Sequence, residues 1–503
     1  MPRHSVFCQA KESHMAKQPN IVLIFSDQHR GDALGCIGNS AVRTPHLDGL
    51  AGEGVAFKRC STNSPLCMPA RASLVTGQYV NEHGAWGNRN EADQHDQSHV
   101  RNIRDAGYCT AVFGKTHFKV PQVDAGHTRD HEDDLHDWGY EVAHEILGEP
   151  TSGNYYSDFL AERKKLQIHE NLKATWKMGQ GNNTLRPWEH TPCQLEEDEH
   201  VDAYITNKAN EWIAQYTDER PFYLQVATVG PHPPFDAPAR YRDMFDPEDM
   251  PTAIMEPPAD PVSPQVKTMY GRRGLPDMTE GQSRLMTSHY YAKIAFDDAL
   301  IGSVVETLTR KGLMDNTWII YTSDHGEMLG DHRMAQKAVF YEGALNIPLI
   351  IRPPGGTEPW IANGLTDHLD MVDTMLDAAS AAPLENDHGV SLIPKIEAGK
   401  GAANAQQGKD VTFSEVRLYS MARTDRYKMA IDSVTREPLE LFDMENDPNE
   451  LNNLVNEPSL SEVREAMLKE HFDKLLHNIN KAQLEVAQAG GIPTAIHEDY
   501  PAY

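Results

Sequence analysis

Asn20-Ile21-Val22-Leu23-Ile24-Phe25 runs directly into Ser26-Asp27-Gln28-His29-Arg30. The apolar run is short, continuous and rich in β-branched residues, which predicts a strand buried on both faces, as in a parallel sheet covered by helices. The polar residues at its carboxyl end lie where open α/β sheets gather their functional groups. The pattern recurs. Ala111-Val112-Phe113-Gly114 leads to Lys115-Thr116-His117-Phe118, and Phe222 to Ala227 leads to Gly230-Pro231-His232-Pro233. Trp318 to Tyr321 leads to Thr322-Ser323-Asp324-His325-Gly326-Glu327. Further strands are predicted at Val55-Ala56-Phe57 and Asn346 to Ile351, and helices over 44–50, 200–216, 282–312 and 365–382. Thr44 is the expected N-cap of the first helix, with Pro45 at its first position. The fold class is therefore α/β, with a large, mostly parallel mixed sheet flanked by helices.

From about Pro383 the pattern changes. Short antiparallel strands are expected at 410–413 and 427–431, and a helix over 459–476. The chain thus divides into a tail over 1–18, a main domain over 19–382, a smaller subdomain over 383–480 and a second tail over 481–503. The first tail is expected to be disordered and the second to lie in a subunit interface of a homo-oligomer. Residues 120–200 read as an acidic, irregular insertion. The Asp130-His131-Glu132-Asp133-Asp134 run within it is read as a solvated loop. Residues 236–283 form a Pro- and Met-rich excursion with few helix or strand signals.

Composition narrows the function. The 503 residues carry 74 Asp and Glu against 46 Lys and Arg, a net charge of −28. Such a charge argues against a nucleic-acid backbone as partner, and any anion site needs its own Lys, Arg or metal. No run approaches the ~20 apolar residues of a membrane span. Six cysteines (8, 36, 60, 67, 109 and 193) lie without paired spacing, as in a reducing compartment. The first 18 residues lack a secretory pattern. A cytoplasmic location is expected; a periplasmic one would follow if a leader preceded this chain.

The chemistry centres on Cys67-Met68-Pro69-Ala70-Arg71, which opens a helix after the turn-forming Asn63-Ser64-Pro65-Leu66. A cysteine at a helix mouth is either a reactive group, favoured by the positive dipole end, or a small buried hydrophobe. Asp27 is a metal ligand or a cap. Lys115 and His117 alternate, so an extended chain would point both to one face, as for an oxyanion; a plain exposed strand end fits the same residues. His232, between prolines, is a proton donor or a structural loop residue. Lys337 is an anion-binding group or a solvated surface lysine.

The Cys67-to-Arg71 stretch, with Thr76-Gly77 beyond it, resembles the C-x-P-[S/A]-R signature of the type I sulfatases, in the arylsulfatase and phosphonate monoester hydrolase branch of the alkaline phosphatase superfamily. Gly114-Lys115-Thr116-His117, Pro231-His232-Pro233-Pro234, Asp324-His325-Gly326, Lys337 before Tyr341-Glu342-Gly343, and the closing Leu441-Phe442-Asp443 to Asp447-Pro448 follow in the family's order. The resemblance runs from about Asn20 to Leu454. It implies an alkaline-phosphatase-like fold and a sulfuric ester hydrolase. It further implies that Cys67 is converted to formylglycine by a separate maturation enzyme. One divalent cation would be held by Asp27, Gln28, Asp324, His325 and residue 67, with Ca²⁺ first and Mn²⁺ as the alternative for such oxygen-rich ligands. The family's usual Asp-Asp pair is here Asp27-Gln28, which lowers the charge of the site by one.

By the same resemblance Arg71, Lys115, His117, His232 and Lys337 complete the catalytic set. Arg71 would hold the formylglycine hydrate, Lys115 and Lys337 the sulfuryl oxygens. His117 would take a proton, His232 would serve the leaving oxygen and Asp324 would activate the nucleophile. The substrate would be a small sulfate ester. A phosphonate monoester or phosphodiester hydrolase shares this core; Lys115 and His117 favour sulfate, because those relatives carry hydroxyl residues there. The third reading is an anion-binding protein without catalysis.

Overall fold

The computed structural model describes residues 18–119, 127–146, 153–175, 186–189 and 193–477. The expectations for residues 1–17 and 481–503 lie outside them. A nine-stranded sheet forms the centre. Its strands are β1 (Asn20–Asp27), β2 (Val55–Ser61), β3 (Cys109–Gly114), β4 (Val142–Glu145), β5 (Phe222–Pro231), β6 (Thr317–Ser323), β7 (Asn346–Ile347), β8 (Leu349–Arg352) and β9 (Trp360–Asp367). In space they run β4-β3-β5-β1-β6-β8-β2-β7, with β9 on the other edge of β2. The first five are mutually parallel, β8 is antiparallel to both β6 and β2, and β9 is parallel to β2.

Alternation along β1 explains its unbroken apolar sequence. Ile21, Leu23 and Phe25 enter a core with Leu74, Val75, Val372 and Met375 on one face. Val22 and Ile24 join Ile205, Ile213, Ile301 and Leu308 on the other. Both faces are covered by helices, as parallel sheets require. The second sheet, β10 (Thr412–Val416), β11 (Tyr419–Arg423), β12 (Tyr427–Asp432) and β13 (Pro438–Asp443), is an antiparallel meander. Residues 461–475 form the helical segment that packs on it, with a π turn at Leu468–Phe472.

Four details depart from the sequence reading. The stretch 365–382 is not one helix: β9 ends at Asp367, whose side chain accepts from the backbone N–H of Leu369 and Asp370 and starts the helix His368–Ala378. Trp360 and Ala362 are buried while Ile361 and Asn363 are exposed, the period-2 signature of an edge strand. The excursion 236–283 contains the helix Pro264–Arg273, capped by Ser263 with Pro264 at its first position. The insertion 120–200 contributes β4 to the main sheet and the helix Tyr155–Glu162. Finally, Thr44 precedes helix α1 (Pro45–Ala51) without capping it. Its hydroxyl instead donates to Asp48 at 3.0 Å and accepts from Gly35 N.

Among the described residues no helix is long and apolar enough to cross a membrane. The cysteines at 36, 60, 67, 109 and 193 are all free.

Candidate active site

The carboxyl ends of β1, β3, β5 and β6 face the same way, and each delivers one part of the site. Asp27 closes β1, Asp324 and His325 follow β6, Lys115 follows β3 and His232 follows β5. Cys67 reaches them from the amino end of helix α2 (Cys67–Thr76), all ten residues of which are buried.

Asp27, Cys67, Asp324 and His325 present ligand atoms all within 4.8 Å of one another. The two carboxylates differ in how they are occupied. Asp27 Oδ2 takes Lys115 Nζ at 2.5 Å and Arg71 Nη2 at 3.3 Å, whereas its Oδ1, fully buried, has no hydrogen-bond partner. Asp324 Oδ1 accepts from the backbone N–H of Gln28 and His325, and Oδ2 from Arg71 Nε at 2.9 Å. His325 gives its Nδ1–H to Gly326 O at 2.9 Å, which leaves Nε2 3.2 Å from Cys67 Sγ. An imidazole fixed through one nitrogen, an orphaned carboxylate oxygen and a second carboxylate beside residue 67 fit a divalent cation.

Three cations surround this group. Lys337 Nζ lies 3.2 Å from Cys67 Sγ and 2.6 Å from Gln28 Oε1. It is buried, so the reading as a solvated lysine fails. Lys115 and Arg71 are buried as well. With Lys337 they concentrate three positive charges around Asp27, Asp324 and residue 67 in a chain that is strongly acidic overall. Burial resists ionisation of Asp27, but Lys115, His232, Lys337 and Arg71 together outweigh it and hold the carboxyl well below the usual range. Burial and Asp27 likewise oppose a thiolate at Cys67; Lys337, His325 and Lys115 prevail and hold the thiol well below its ordinary value. Position 67 is thus built for negative charge.

Lys115 and His117 do converge on residue 67, but not by strand alternation. β3 ends at Gly114 with φ +110°, where a Cβ would meet Ala227 O at 1.9 Å. Beyond it His117 adopts φ +53°. Glu145, at the end of β4, accepts from Thr116 Oγ1 and from the backbone of His117 and fixes this turn. The His117 side chain hydrogen-bonds Cys67, and burial lowers its pKa.

Arg71 was expected to hold the side chain at 67. Its guanidinium instead binds Asp27, Asp324 and Lys115 O and stacks over Phe25. It braces the ligand carboxylates from behind. His232 donates Nδ1–H to Pro233 O at 2.7 Å. Burial and Lys337 push its pKa well below the normal imidazole range. The end of β5 that carries it is anchored by Asp202, whose Oδ1 accepts from Val229 N and Gly230 N while Oδ2 pairs with Lys293. Cys193, His200 and Asp236 form a second ligand-like group nearby. The Lys293 ammonium, 3.1 Å from His200 Nε2, supplies the positive charge there.

Sequence reasoning did not select Glu327, Tyr290 or Asn88. Tyr290 donates to Gln28 O at 2.7 Å, and Asn88 Oδ1 accepts from Met68 N in the first turn of α2. Glu327, adjoining Asp324-His325-Gly326, was the most accessible of the three to a reading of motifs.

A cluster of buried cations around a cation-ready carboxylate pair, at the carboxyl ends of a mostly parallel sheet, defines a hydrolase of the alkaline-phosphatase-like class. Comparison with known proteins narrows this further. The family model described as Sulfatase matches residues 19–381, and one described as N-sulphoglucosamine sulphohydrolase, C-terminal, matches residues 330–478. An arylsulfatase of Clostridium perfringens (strain 13 / Type A) is 29% identical over 472 residues, covering 90% of this chain and 94% of its own. A choline-sulfatase of Rhizobium meliloti (strain 1021) is 29% identical over 455 residues, covering 88% and 83%. The solved phosphonate monoester hydrolase of Agrobacterium radiobacter superposes with a TM-score of 0.76 at 26% identity, over 92% of this chain and 96% of that one. The chain belongs to the sulfatase family, and it is an enzyme that hydrolyses sulfate esters.

Proposed function

We propose that the enzyme cleaves a sulfate monoester through a formylglycine formed from Cys67, assisted by one divalent cation. The observation that carries this reading is the setting of Cys67 Sγ, with Lys337 Nζ and His325 Nε2 each 3.2 Å away and His117 hydrogen-bonded to it. An inert buried cysteine has no need of three polar partners.

Asp27, Asp324, His325 and the side chain at 67 would hold the cation, with Gln28 Oε1 as the further oxygen. When bound, the cation supplies charge that acidifies the formylglycine hydrate and stabilises the sulfuryl oxygens. Ca²⁺ suits the oxygen-rich set, and the His325 nitrogen keeps Mn²⁺ as the alternative. Lys115 and Lys337 place two ammonium groups on the substrate's non-bridging oxygens, where they oppose charge that builds at the transition state. His117, kept neutral by burial, is a proton acceptor against residue 67. His232 commits Nδ1–H to Pro233 O, so Nε2 is the nitrogen that would take up a further proton. It donates to a leaving oxygen only after taking a second proton, which an anion bound beside it favours. Arg71 holds Asp27 and Asp324 in place. So clamped, Asp324 serves better as a ligand than as a base.

A phosphonate monoester hydrolase is the second reading, supported by the superposition with such an enzyme. Charged Lys115 and neutral His117 beside residue 67 favour sulfate. The deciding experiment compares kcat/KM for an aryl sulfate and an aryl phosphonate monoester with the same leaving group. Sulfate is expected to win by orders of magnitude. Preference for the phosphonate would overturn the first reading.

A further inference from the structure

Gln28 is held at four points. Its φ of +71° is unusual for a residue with a side chain and costs on the order of 1 kcal/mol. Its N–H donates to Asp324 Oδ1 at 3.0 Å, and its carbonyl accepts from Tyr290. At the side chain, Oε1 accepts from Lys337 Nζ at 2.6 Å, while Nε2 donates to Glu327 Oε2. Lysine only donates, so Lys337 selects Oε1, and Glu327 Oε2 takes the N–H at the other end; the two ends of the amide are not interchangeable here.

Glu327 is built for that contact. It is 1% exposed, and its other oxygen accepts from Leu329 N and Gln336 N. Both of its oxygens are therefore engaged, and only one faces Gln28. No lysine or arginine pairs with it among the described residues. A buried carboxylate without a cation is costly unless its hydrogen bonds are filled, and the Gln28 amide fills one of them.

We propose that Glu327 is a positioning residue that locks the orientation of the Gln28 amide, so that Oε1, and not Nε2, is presented to the cation. The inference rests on the cation-dependent reading above. Without Glu327 only Lys337 orients the amide, and a turn that brings its NH₂ toward the metal, where a donor repels, is no longer opposed at the other end. The pair also accounts for glutamine at this position: a carboxylate at 28 would face the Glu327 carboxylate in a buried setting. Glu327 is thus the element that makes a neutral ligand work.

The test is calorimetric titration of metal-stripped, full-length enzyme with Ca²⁺, and with Mn²⁺ in parallel, which reads affinity independently of turnover. Loss of an outer partner typically weakens metal binding ~10- to 100-fold, and Glu327→Gln is expected to do so. Gln28→Glu, which adds a negative charge, is nonetheless expected to bind more weakly than wild type, because two carboxylates then meet. The swap Gln28→Glu/Glu327→Gln restores a donor–acceptor pair and is expected to recover most of the affinity. Recovery separates positioning from a purely structural role, since the bonds to Leu329 and Gln336 are the same in Glu327→Gln and in the swap. Equal affinity of Glu327→Gln and wild type, or tighter binding by Gln28→Glu alone, would overturn the proposal. Should Glu327→Gln fail to fold, the sign of the Gln28→Glu effect still decides. A wild-type enzyme that binds neither metal would instead remove the cation reading beneath it.

Discussion

Arg71 and Asp324 form a side-on pair in which Nε and Nη2 lie 2.9 Å and 2.8 Å from the same carboxylate oxygen, Oδ2. Both side chains are almost fully buried, and neither touches solvent-exposed charge. Removing one member of such a pair leaves the other uncompensated, at a cost of about 3–5 kcal/mol. Arg71→Ala is expected to lower the melting temperature by several degrees and to abolish turnover. Arg71→Lys keeps the charge but loses the fork, and is expected to retain more stability than activity. Thermal melts alongside initial rates separate the two effects.

Cys67→Ala removes the group that the site surrounds while leaving α2 intact, because alanine is the better helix former. Turnover is expected to fall by roughly 10⁴-fold or more, as for loss of a nucleophile. The circular dichroism spectrum should be unchanged. Mass spectrometry of the wild-type peptide spanning residue 67 is expected to show the formylglycine mass after co-expression with a maturation enzyme. An active alanine variant would end the mechanism.

His232→Gln should act on the leaving group. Loss of a general acid typically costs ~10²- to 10⁴-fold. The loss is expected to be large for an alkyl sulfate, whose alkoxide leaves poorly, and small for a nitrophenyl sulfate. A plot of log(kcat/KM) against leaving-group pKa should steepen in the variant; an unchanged slope would remove His232 from this role.

Chelation followed by dialysis is expected to abolish activity, and Ca²⁺ or Mn²⁺ to restore it. The ion that restores the higher kcat/KM identifies the better fit to two carboxylates, one amide oxygen and one imidazole. Full activity in a protein shown to be metal-free would refute a cation role.

Glu415 offers a test outside the site. It is buried on β10 and accepts from Asn81 and Ser420, yet burial raises its pKa from the ordinary 4.5 to about 7. A raised carboxyl pKa favours folding while the group is protonated. Its contribution is therefore full below about pH 4.5 and is lost as pH rises toward 7, by roughly 3 kcal/mol at ~1.36 kcal/mol per unit. Urea unfolding at pH 5 and pH 8 measures the loss, and Glu415→Gln should reduce it. An identical pH dependence in both proteins would show that another group is responsible.

Much of this protein was legible in the sequence alone. Apolar runs such as Ile21 to Phe25 mark buried strands because they are short and rich in β-branched residues, which suits a strand in a two-sided core better than a buried helix. The polar residues after each run then fall at one edge of the sheet, so Asp27, Lys115, His232, Asp324 and His325 were identifiable as candidates before their positions were known. Spacing did the same for Cys67 to Arg71 at a helix mouth. β9 was not legible because its burial alternates while its sequence does not, the exposed Ile361 being as apolar as its buried neighbours Trp360 and Ala362, and the helix Pro264–Arg273 is too short to show a clear period of its own.

What only the tertiary structure decided was which atoms meet. Lys115 and His117 converge through the Gly114 turn and the Glu145 anchor, which depend on β3 lying beside β4. Arg71 turns to Asp324, 253 residues away in the chain. Glu327 fixes the Gln28 amide across 299 residues. Local sequence sets backbone preference and face, which are short-range properties. Hydrogen-bond direction and charge pairing between distant strand ends are set by how the sheet closes on its helices.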